Sequence, residues 1–168
     1  MNSVEKIRED IEQSFILLEQ VISTCSNEVF NRRPASGGWT IGEIMEHLWL
    51  IESMLNKQFG GTSNSTEREA DKKVAIIKTV FEETTNKYES PSFFIPSNTV
   101  KDKTAWLEKI QIERKLLYSL VGTFDLTETL LAFKHPYLGA LTRYEWVYFI
   151  ILHSNRHLLQ IKNVIENN

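Results

Sequence analysis

The sequence predicts an all-α protein built as a four-helix bundle, and three observations lead to that expectation. Four segments repeat apolar residues at intervals of three and four positions, the spacing of one face of an α-helix. Two of these segments open with Thr-x-x-Glu, the pattern of an N-terminal capping box. Only 7 of the 168 residues are glycine and 4 are proline, few for the many tight turns of a β-sandwich or barrel. At this length, residues 1–168 are expected to form a single domain.

The first two helices are predicted from their apolar stripes. The first runs from about Ser3 to Cys25 and the second from Thr40 to about Gln58. In the second helix, the Thr40 hydroxyl can cap the exposed amides while Glu43 reaches back to the same turn. The stretches before and after it, residues 31–39 and 60–66, are rich in Gly, Pro, Ser and Asn and are expected to be a turn and a loop.

The second half of the chain holds the other two main helices. One is predicted over Lys103–Val121 and the last from the capping box Thr142–Glu145 to about Glu166. The connections are expected to contain a partly helical segment in 67–88, an ordered loop or lid over 90–100, a short helical piece over 126–133 and a turn at 135–139.

Charge and hydropathy exclude several classes of partner. The net charge is -3, so the chain has no excess of basic residues of the kind found in nucleic-acid-binding and membrane-surface proteins. The longest apolar run, Trp146–Leu152, is too short to cross a bilayer, and the charged N-terminus does not fit a signal peptide. Cys25 falls on the buried face of the first helix, where it is expected to be a core thiol. A reducing cytoplasm is the expected compartment.

Histidines form the one constellation that suggests chemistry. The chain has four: His47, His135, His153 and His157. His153 and His157 are four residues apart on the last helix, so both side chains emerge from one face, at the spacing of two ligands to one metal. His47 lies in the inward stripe of the second helix. Three imidazoles from two helices are therefore expected to point into one core.

Two interpretations of these imidazoles remain open at this point. A buried histidine is commonly a core residue with a satisfied hydrogen bond. Three of them would each need a polar partner, and the two stripes offer few besides Glu43 and Gln160. A metal ion would satisfy all three and leave coordination positions open, as in catalytic sites. Such nitrogen ligands suit Zn, Ni, Cu or Fe.

Three further residues are candidates for supporting roles. Glu43, one turn before His47, would orient an imidazole or accept a proton, although its capping-box role explains it equally well. Gln160, one turn after His157, is a candidate to support that ligand from behind. His135 is either a turn residue or a group at the mouth of the site.

Two stretches resemble the motifs of the DinB/YfiT-like superfamily of metalloenzymes. Residues 38–48 (GWTIGEIMEHL) resemble the first motif. Residues 135–142 (HPYLGALT), Glu145-Trp146 and residues 153–161 (HSNRHLLQI) resemble the C-terminal motif. The resemblance covers nearly the whole chain in length and motif order, and it is absent between residues 60 and 100.

This resemblance implies a bundle with an up-down-down-up course and a metal, Ni or Zn in many members, with Fe or Cu not excluded. The resemblance implies that the metal ligands in this chain are His47, His153 and His157. Characterised relatives include transferases and isomerases that use a low-molecular-weight thiol such as bacillithiol or mycothiol, and members often form dimers.

The expected function is a metal-dependent enzyme whose ion activates a thiol or water for transfer to, or hydrolysis of, a small electrophile. Its partners would be small molecules, with neither nucleic acid nor membrane, in a homodimer. The alternative is a non-catalytic bundle with a structural or vestigial ion that acts by binding a partner or by dimerising. A fourth protein ligand closing the site would favour this alternative.

Overall fold

A computed structural model describes residues 1–35, 37–83 and 90–167. Six α-helices lie within these residues: α1 Val4–Ser23, α2 Asn27–Asn31, α3 Ile41–Gln58, α4 Val74–Glu82, α5 Lys103–Val121 and α6 Arg143–Glu166. They are joined by connections that hold a 3₁₀ turn at Ser92–Phe94 and two short strands, β1 Ser63–Asn64 and β2 Thr129–Leu130.

Four of the helices, α1, α3, α5 and α6, form the predicted bundle. One apolar cluster at one end unites the first half of α1, the second halves of α3 and α5 and the first half of α6. A second cluster at the other end unites the opposite halves of the same four helices. Helices α1 and α6 therefore run in one direction and α3 and α5 in the other, which confirms the up-down-down-up course.

This course places two helices that are consecutive in the bundle, α3 and α5, parallel and in contact. Parallel neighbours need a connection that returns along their length. Residues 59–102 provide it, and α4 within them packs against α6. The return path brings residues 92–101 back along the N-terminal half of α3, where His47 lies.

Both predicted capping boxes are present. Thr40 and Thr142 each accept a hydrogen bond from the amide of the glutamate three positions on, and each glutamate accepts one from the threonine amide. Arg68 forms a bidentate ion pair with the fully buried Glu145, both contacts at 2.6 Å. The two caps fix where α3 and α6 begin, and with them the heights of their histidines.

The sequence predictions for the connections need two corrections. The short helical piece expected over 126–133 is wrong: Thr129–Leu130 is a strand that pairs antiparallel with Ser63–Asn64, inside the expected loop 60–66. The physical reason is tertiary, because Arg143 donates to the carbonyls of Phe59, Gly61 and Asp125 and so holds the two connections side by side. Helix α2, capped by Ser26, was not expected.

The remaining expectations for the connections fit the structure within the described residues. The partly helical segment contains α4, the loop before α5 contains the 3₁₀ turn, and His135 and Gly139 close the predicted turn by two backbone hydrogen bonds. The part of the helical prediction that falls on 84–89 lies outside the described residues. Cys25 is buried, as expected. That residues 1–168 form a single domain stays a prediction.

Within the described residues, no helix is long and apolar enough to span a bilayer.

A buried polar cluster ties the four bundle helices together at mid-height. Arg114 on α5 donates two hydrogen bonds to Glu52 on α3, both at 2.7 Å, and also donates to the hydroxyls of Ser14 on α1 and Ser154 on α6. Burial raises the pKa of Glu52, and the charge and hydrogen bonds of Arg114 oppose that rise. We call these four residues the Arg114 cluster.

Candidate metal centre

Three imidazoles meet between α3 and α6. His153 Nε2 lies 3.3 Å from His47 Nε2 and 3.0 Å from His157 Nε2. All three ligand nitrogens lie within 4.8 Å of one another. The expectation that imidazoles from two helices point to one place is therefore met by the structure, and we call His47, His153 and His157 the histidine cluster.

The outer nitrogens of two rings are held by acceptors. His47 Nδ1 lies 2.8 Å from the backbone oxygen of Phe94, and His157 Nδ1 lies 2.9 Å from Gln160 Oε1. An oxygen acceptor requires the proton to be on Nδ1, so both rings turn an Nε2 lone pair toward the centre. Gln160 contacts the ring of His157, and its predicted support of a metal ligand stays a prediction, whereas the Phe94 carbonyl was not expected.

The three rings are buried and their pKa values are low. His47, His153 and His157 are 4%, 7% and 9% exposed. Burial lowers the pKa of His47 and lowers that of His157 to about 3. It also lowers the pKa of His153, to which the neighbouring His157 and His47 contribute further. Near neutral pH the cluster therefore presents neutral imidazoles, the protonation state that binds metals.

The donor set fits a metal ion better than a set of hydrogen bonds. If His47 and His157 both present lone pairs, one proton on His153 Nε2 can serve only one of them well. The other lone pair then has no donor in a buried place, which is costly. Ligand nitrogens about 2.1 Å from a common ion would be about 3.0–3.4 Å apart at octahedral or tetrahedral angles. The separations of His153 from the other two nitrogens, 3.0 and 3.3 Å, fall in this range, while His47 and His157 lie within 4.8 Å of each other.

Aromatic rings surround the cluster. The Trp39 ring lies 4.8 Å from that of His47, the Phe81 ring lies 5.3 Å from that of His153, and Phe149 stacks on His153 at 5.6 Å. Trp39 precedes the α3 cap, while Phe81 is near the end of α4. Such rings keep bulk water away and lower the local dielectric around a bound ion.

Among residues 1–35, 37–83 and 90–167, no fourth His, Cys, Asp or Glu side chain lies close enough to join the three histidines as a metal ligand. Glu43 is engaged elsewhere: one carboxylate oxygen accepts the Thr40 amide at 2.7 Å and the other accepts Arg33 at 2.7 Å. The structure thus supports its capping-box role, and its catalytic role stays a prediction.

His135 lies in the turn before α6, away from the histidine cluster but in ring contact with its surroundings. Its Nδ1 accepts the amides of Tyr137 and Leu138, both at 3.2 Å. Its ring lies 5.2 Å from that of Phe149, which stacks on His153. Burial lowers the pKa of His135 to about 4. These contacts make His135 a turn residue that also packs behind the site.

Two surface pockets lie away from the imidazoles. One is lined by residues of α2 and the segment 100–102, and the other by residues 64–68 with Thr129 and Leu131. Neither includes a histidine, so we base the candidate site on the donor geometry. The spacing of the histidines predicted from sequence that these three rings converge, and their role as ligands stays a prediction. The Phe94 carbonyl and the Phe81 ring come from the region of 60–100, where no motif was visible.

Comparisons with known proteins identify the fold and the family of the chain. The chain is 26% identical over 145 residues to the uncharacterized protein YuaE of Bacillus subtilis, covering 84% of this chain and 86% of that protein. Its fold is similar to the solved structure of YfiT from Bacillus subtilis, described as a probable metal-dependent hydrolase with an unusual four-helix bundle topology. That likeness has a TM-score of 0.60 at 17% identity and covers 99% of this chain and 89% of YfiT. The family model of the DinB superfamily matches residues 11–161, and the chain therefore belongs to the DinB superfamily.

Proposed function

We propose that this protein is a metal-dependent enzyme whose divalent ion is held by His47, His153 and His157. The observation that carries the proposal is the convergence of three Nε2 atoms, two of them forced by their Nδ1 partners to present lone pairs. Three protein ligands leave coordination positions for a reactant, as in catalytic rather than closed structural sites.

The chemistry such an ion supplies when bound is the deprotonation of a coordinated thiol or water near neutral pH and the polarisation of an electrophile. The side chains and backbone of the protein orient the ligand rings and shield them from solvent. Phe94 and Gln160 hold two of the ligand rings, and Trp39, Phe81 and Phe149 exclude solvent around them. Because no described Ser–His or Cys–His pair stands at the site, the nucleophile in this proposal comes from the reactants.

The proposed reaction is transfer of a low-molecular-weight thiol to a small electrophile, or hydrolysis of that electrophile. Support for hydrolysis comes from the description of YfiT as a probable metal-dependent hydrolase, and support for thiol transfer comes from the resemblance to the thiol-dependent members of the superfamily. Ni or Zn is the proposed ion, with Fe or Cu also compatible with nitrogen ligands. The proposal also includes a cytoplasmic homodimer and small-molecule partners, with neither nucleic acid nor membrane.

The alternative is a non-catalytic bundle with a structural ion that acts by binding a partner or dimerising. The burial of all three imidazoles favours it, since an ion in such a place also stabilises the fold. The described residues supply no fourth ligand, and this observation favours the enzyme.

The test begins with elemental analysis of untagged protein, followed by a screen of thiol conjugation and hydrolysis with the same preparation. We expect one Ni or Zn per chain, and activity that disappears in His153→Ala together with the metal. Glu12→Ala, an exposed substitution on α1, is the control and should keep both. Full metal content in His153→Ala would refute the ligand set, and a loaded protein inactive with every thiol and electrophile class would favour the structural alternative.

A further inference from the structure

One ligand of the histidine cluster is held by a backbone group from a segment outside the bundle helices. Residues 92–101, which we call the strap, cross the N-terminal half of α3. They begin with the 3₁₀ turn, in which the amides of Phe94 and Ile95 donate to Pro91 and Ser92. The Phe94 side chain is buried in the core, and its carbonyl oxygen accepts the Nδ1 proton of His47 at 2.8 Å.

The turn has few apolar contacts besides Phe94. The residues on either side of it, Phe93 and Ile95, are 62% and 54% exposed. Burial of one ring does not by itself fix where the turn lies along α3, because the flanking side chains contribute little apolar contact. The position of the Phe94 carbonyl therefore depends on how the rest of the strap is attached.

That attachment converges on the residue directly before His47. Glu46 accepts the amide and the hydroxyl of Ser97, each at 2.9 Å, and forms an ion pair with Lys101 at 2.8 Å. The Lys101 ammonium, which is almost fully buried, also donates to the carbonyls of Ser97 and Thr99. This carboxylate on α3 thus contacts the strap at its middle and at its end. Asn31 on α2 also holds the end, by donating to the Lys101 carbonyl and accepting the Lys101 amide.

We propose that Glu46 is a positioning residue for the metal centre. By fixing the strap, it keeps the Phe94 carbonyl on His47, and that carbonyl holds the ring of His47 in the orientation and tautomer that ligate. This inference rests on the proposed function, since it requires a metal ion at the histidine cluster. Loss of such outer partners typically weakens metal binding by about 10- to 100-fold.

The test measures binding of Ni²⁺ and Co²⁺ to the full chain by competition with a chromophoric chelator, and records the visible absorption of the Co²⁺ form. We expect Glu46→Ala to weaken binding by about tenfold and to change the Co²⁺ spectrum. Glu46→Gln keeps an oxygen that can accept the Ser97 amide but loses the charge that pairs with the buried Lys101, so its affinity should lie between those of the wild type and Glu46→Ala. Should Glu46→Ala fail to fold, Ser97→Ala removes only the hydroxyl contacts and is expected to weaken binding by a smaller factor.

Asp102→Ala is the matched control. Asp102 caps α5 immediately after the strap by accepting the Ala105 amide at 2.8 Å, so its loss lowers stability without touching Glu46. The melting temperature should fall while affinity and spectrum stay as in the wild type. An equal loss of affinity in Asp102→Ala and Glu46→Ala would overturn the positioning role.

The outcomes separate the two proposals. If wild-type protein binds neither metal, the proposed function fails. If wild-type protein binds metal and Glu46→Ala binds it with unchanged affinity and spectrum, the positioning role fails and the histidine site stands.

Discussion

Two buried polar clusters each include residues of both α3 and α6, and their hydrogen-bonding groups are satisfied in different ways. In the Arg114 cluster, donors and acceptors match: a guanidinium meets a carboxylate and two hydroxyls. In the histidine cluster, three ring nitrogens face one another, and two of them are held as acceptors by their own outer partners. His153 belongs to the histidine cluster, and the next residue, Ser154, belongs to the Arg114 cluster.

The difference shows that buried polar groups in one core can either satisfy one another completely or leave some hydrogen-bond acceptors without a donor. The Arg114 cluster is complete within the protein and fixes the relative heights of four helices. The histidine cluster has acceptors in excess, and this excess is the reason for proposing that a cation completes it. Substitutions in the first cluster should therefore act with or without metal, whereas those in the second should act through metal.

The largest expected effect is the loss of Arg114. Arg114→Met leaves Glu52 buried without its cation, which costs about 3–5 kcal/mol of unfolding free energy, measured by urea denaturation. The loss should be the same with added Ni²⁺ and with chelator. Combining it with Glu52→Leu removes the stranded carboxylate and should restore much of the stability. A loss that appears only in the presence of metal would contradict the separation of the two clusters.

The next effect is the loss of a ligand. In wild-type protein, metal at a free concentration of about 100 times its Kd should add about 2.7 kcal/mol to the unfolding free energy. His157→Ala should abolish this gain, seen as a melting temperature that no longer responds to Ni²⁺ or to chelator. His135→Ala, which removes a histidine outside the cluster, is the control and should keep the response. A full response in His157→Ala would remove this residue from the ligand set.

A smaller effect is expected from the outer partner of His157. Gln160→Leu removes the oxygen that accepts the Nδ1 proton and should weaken metal binding by about tenfold, measured by chelator competition. Gln20→Leu, at an exposed position of α1, controls for the change in surface polarity. Equal affinities in the two variants would show that Gln160 does not support the ligand.

The effect that is smallest at neutral pH appears only on acidification, and it separates the histidine cluster from the turn histidine. The pKa of His135 is about 4 in the folded protein and about 6.5 in an unfolded chain, so between these values the unfolded state binds more protons. Its contribution to stability is present above pH 6.5 and is lost as the pH falls toward 4. In metal-free protein, His135→Gln should therefore reduce the slope of unfolding free energy against pH in this range. An unchanged slope would show that His135 does not contribute to the pH dependence of stability.

Local signals predicted most of the fold. The boundaries of α5 were predicted by the apolar spacing, and those of α6 by the same spacing and the Thr142 cap, because these interactions join residues three or four positions apart. The strand at Thr129–Leu130 was predicted as helix, since its partners, Ser63 and Asn64, are distant in sequence and are brought near by Arg143.

The candidate site was predictable for a similar reason. His153 and His157 share a helical face by spacing alone, and His47 lies on the inward stripe of α3. The acceptor for His47 was not predictable, because a backbone carbonyl leaves no mark in the residue type at position 94. The same holds for Glu46, whose partners lie 51 and 55 positions further along the chain.

By itself the sequence determined the four helices, their caps and which histidines face inward, because periodicity and capping depend on neighbours along the chain. Only the tertiary structure decided that three nitrogens meet, that a strap carbonyl orients one of them and that Arg114 joins four helices. Those outcomes depend on the return of residues 59–102 along the bundle, and a return path is fixed by long-range packing.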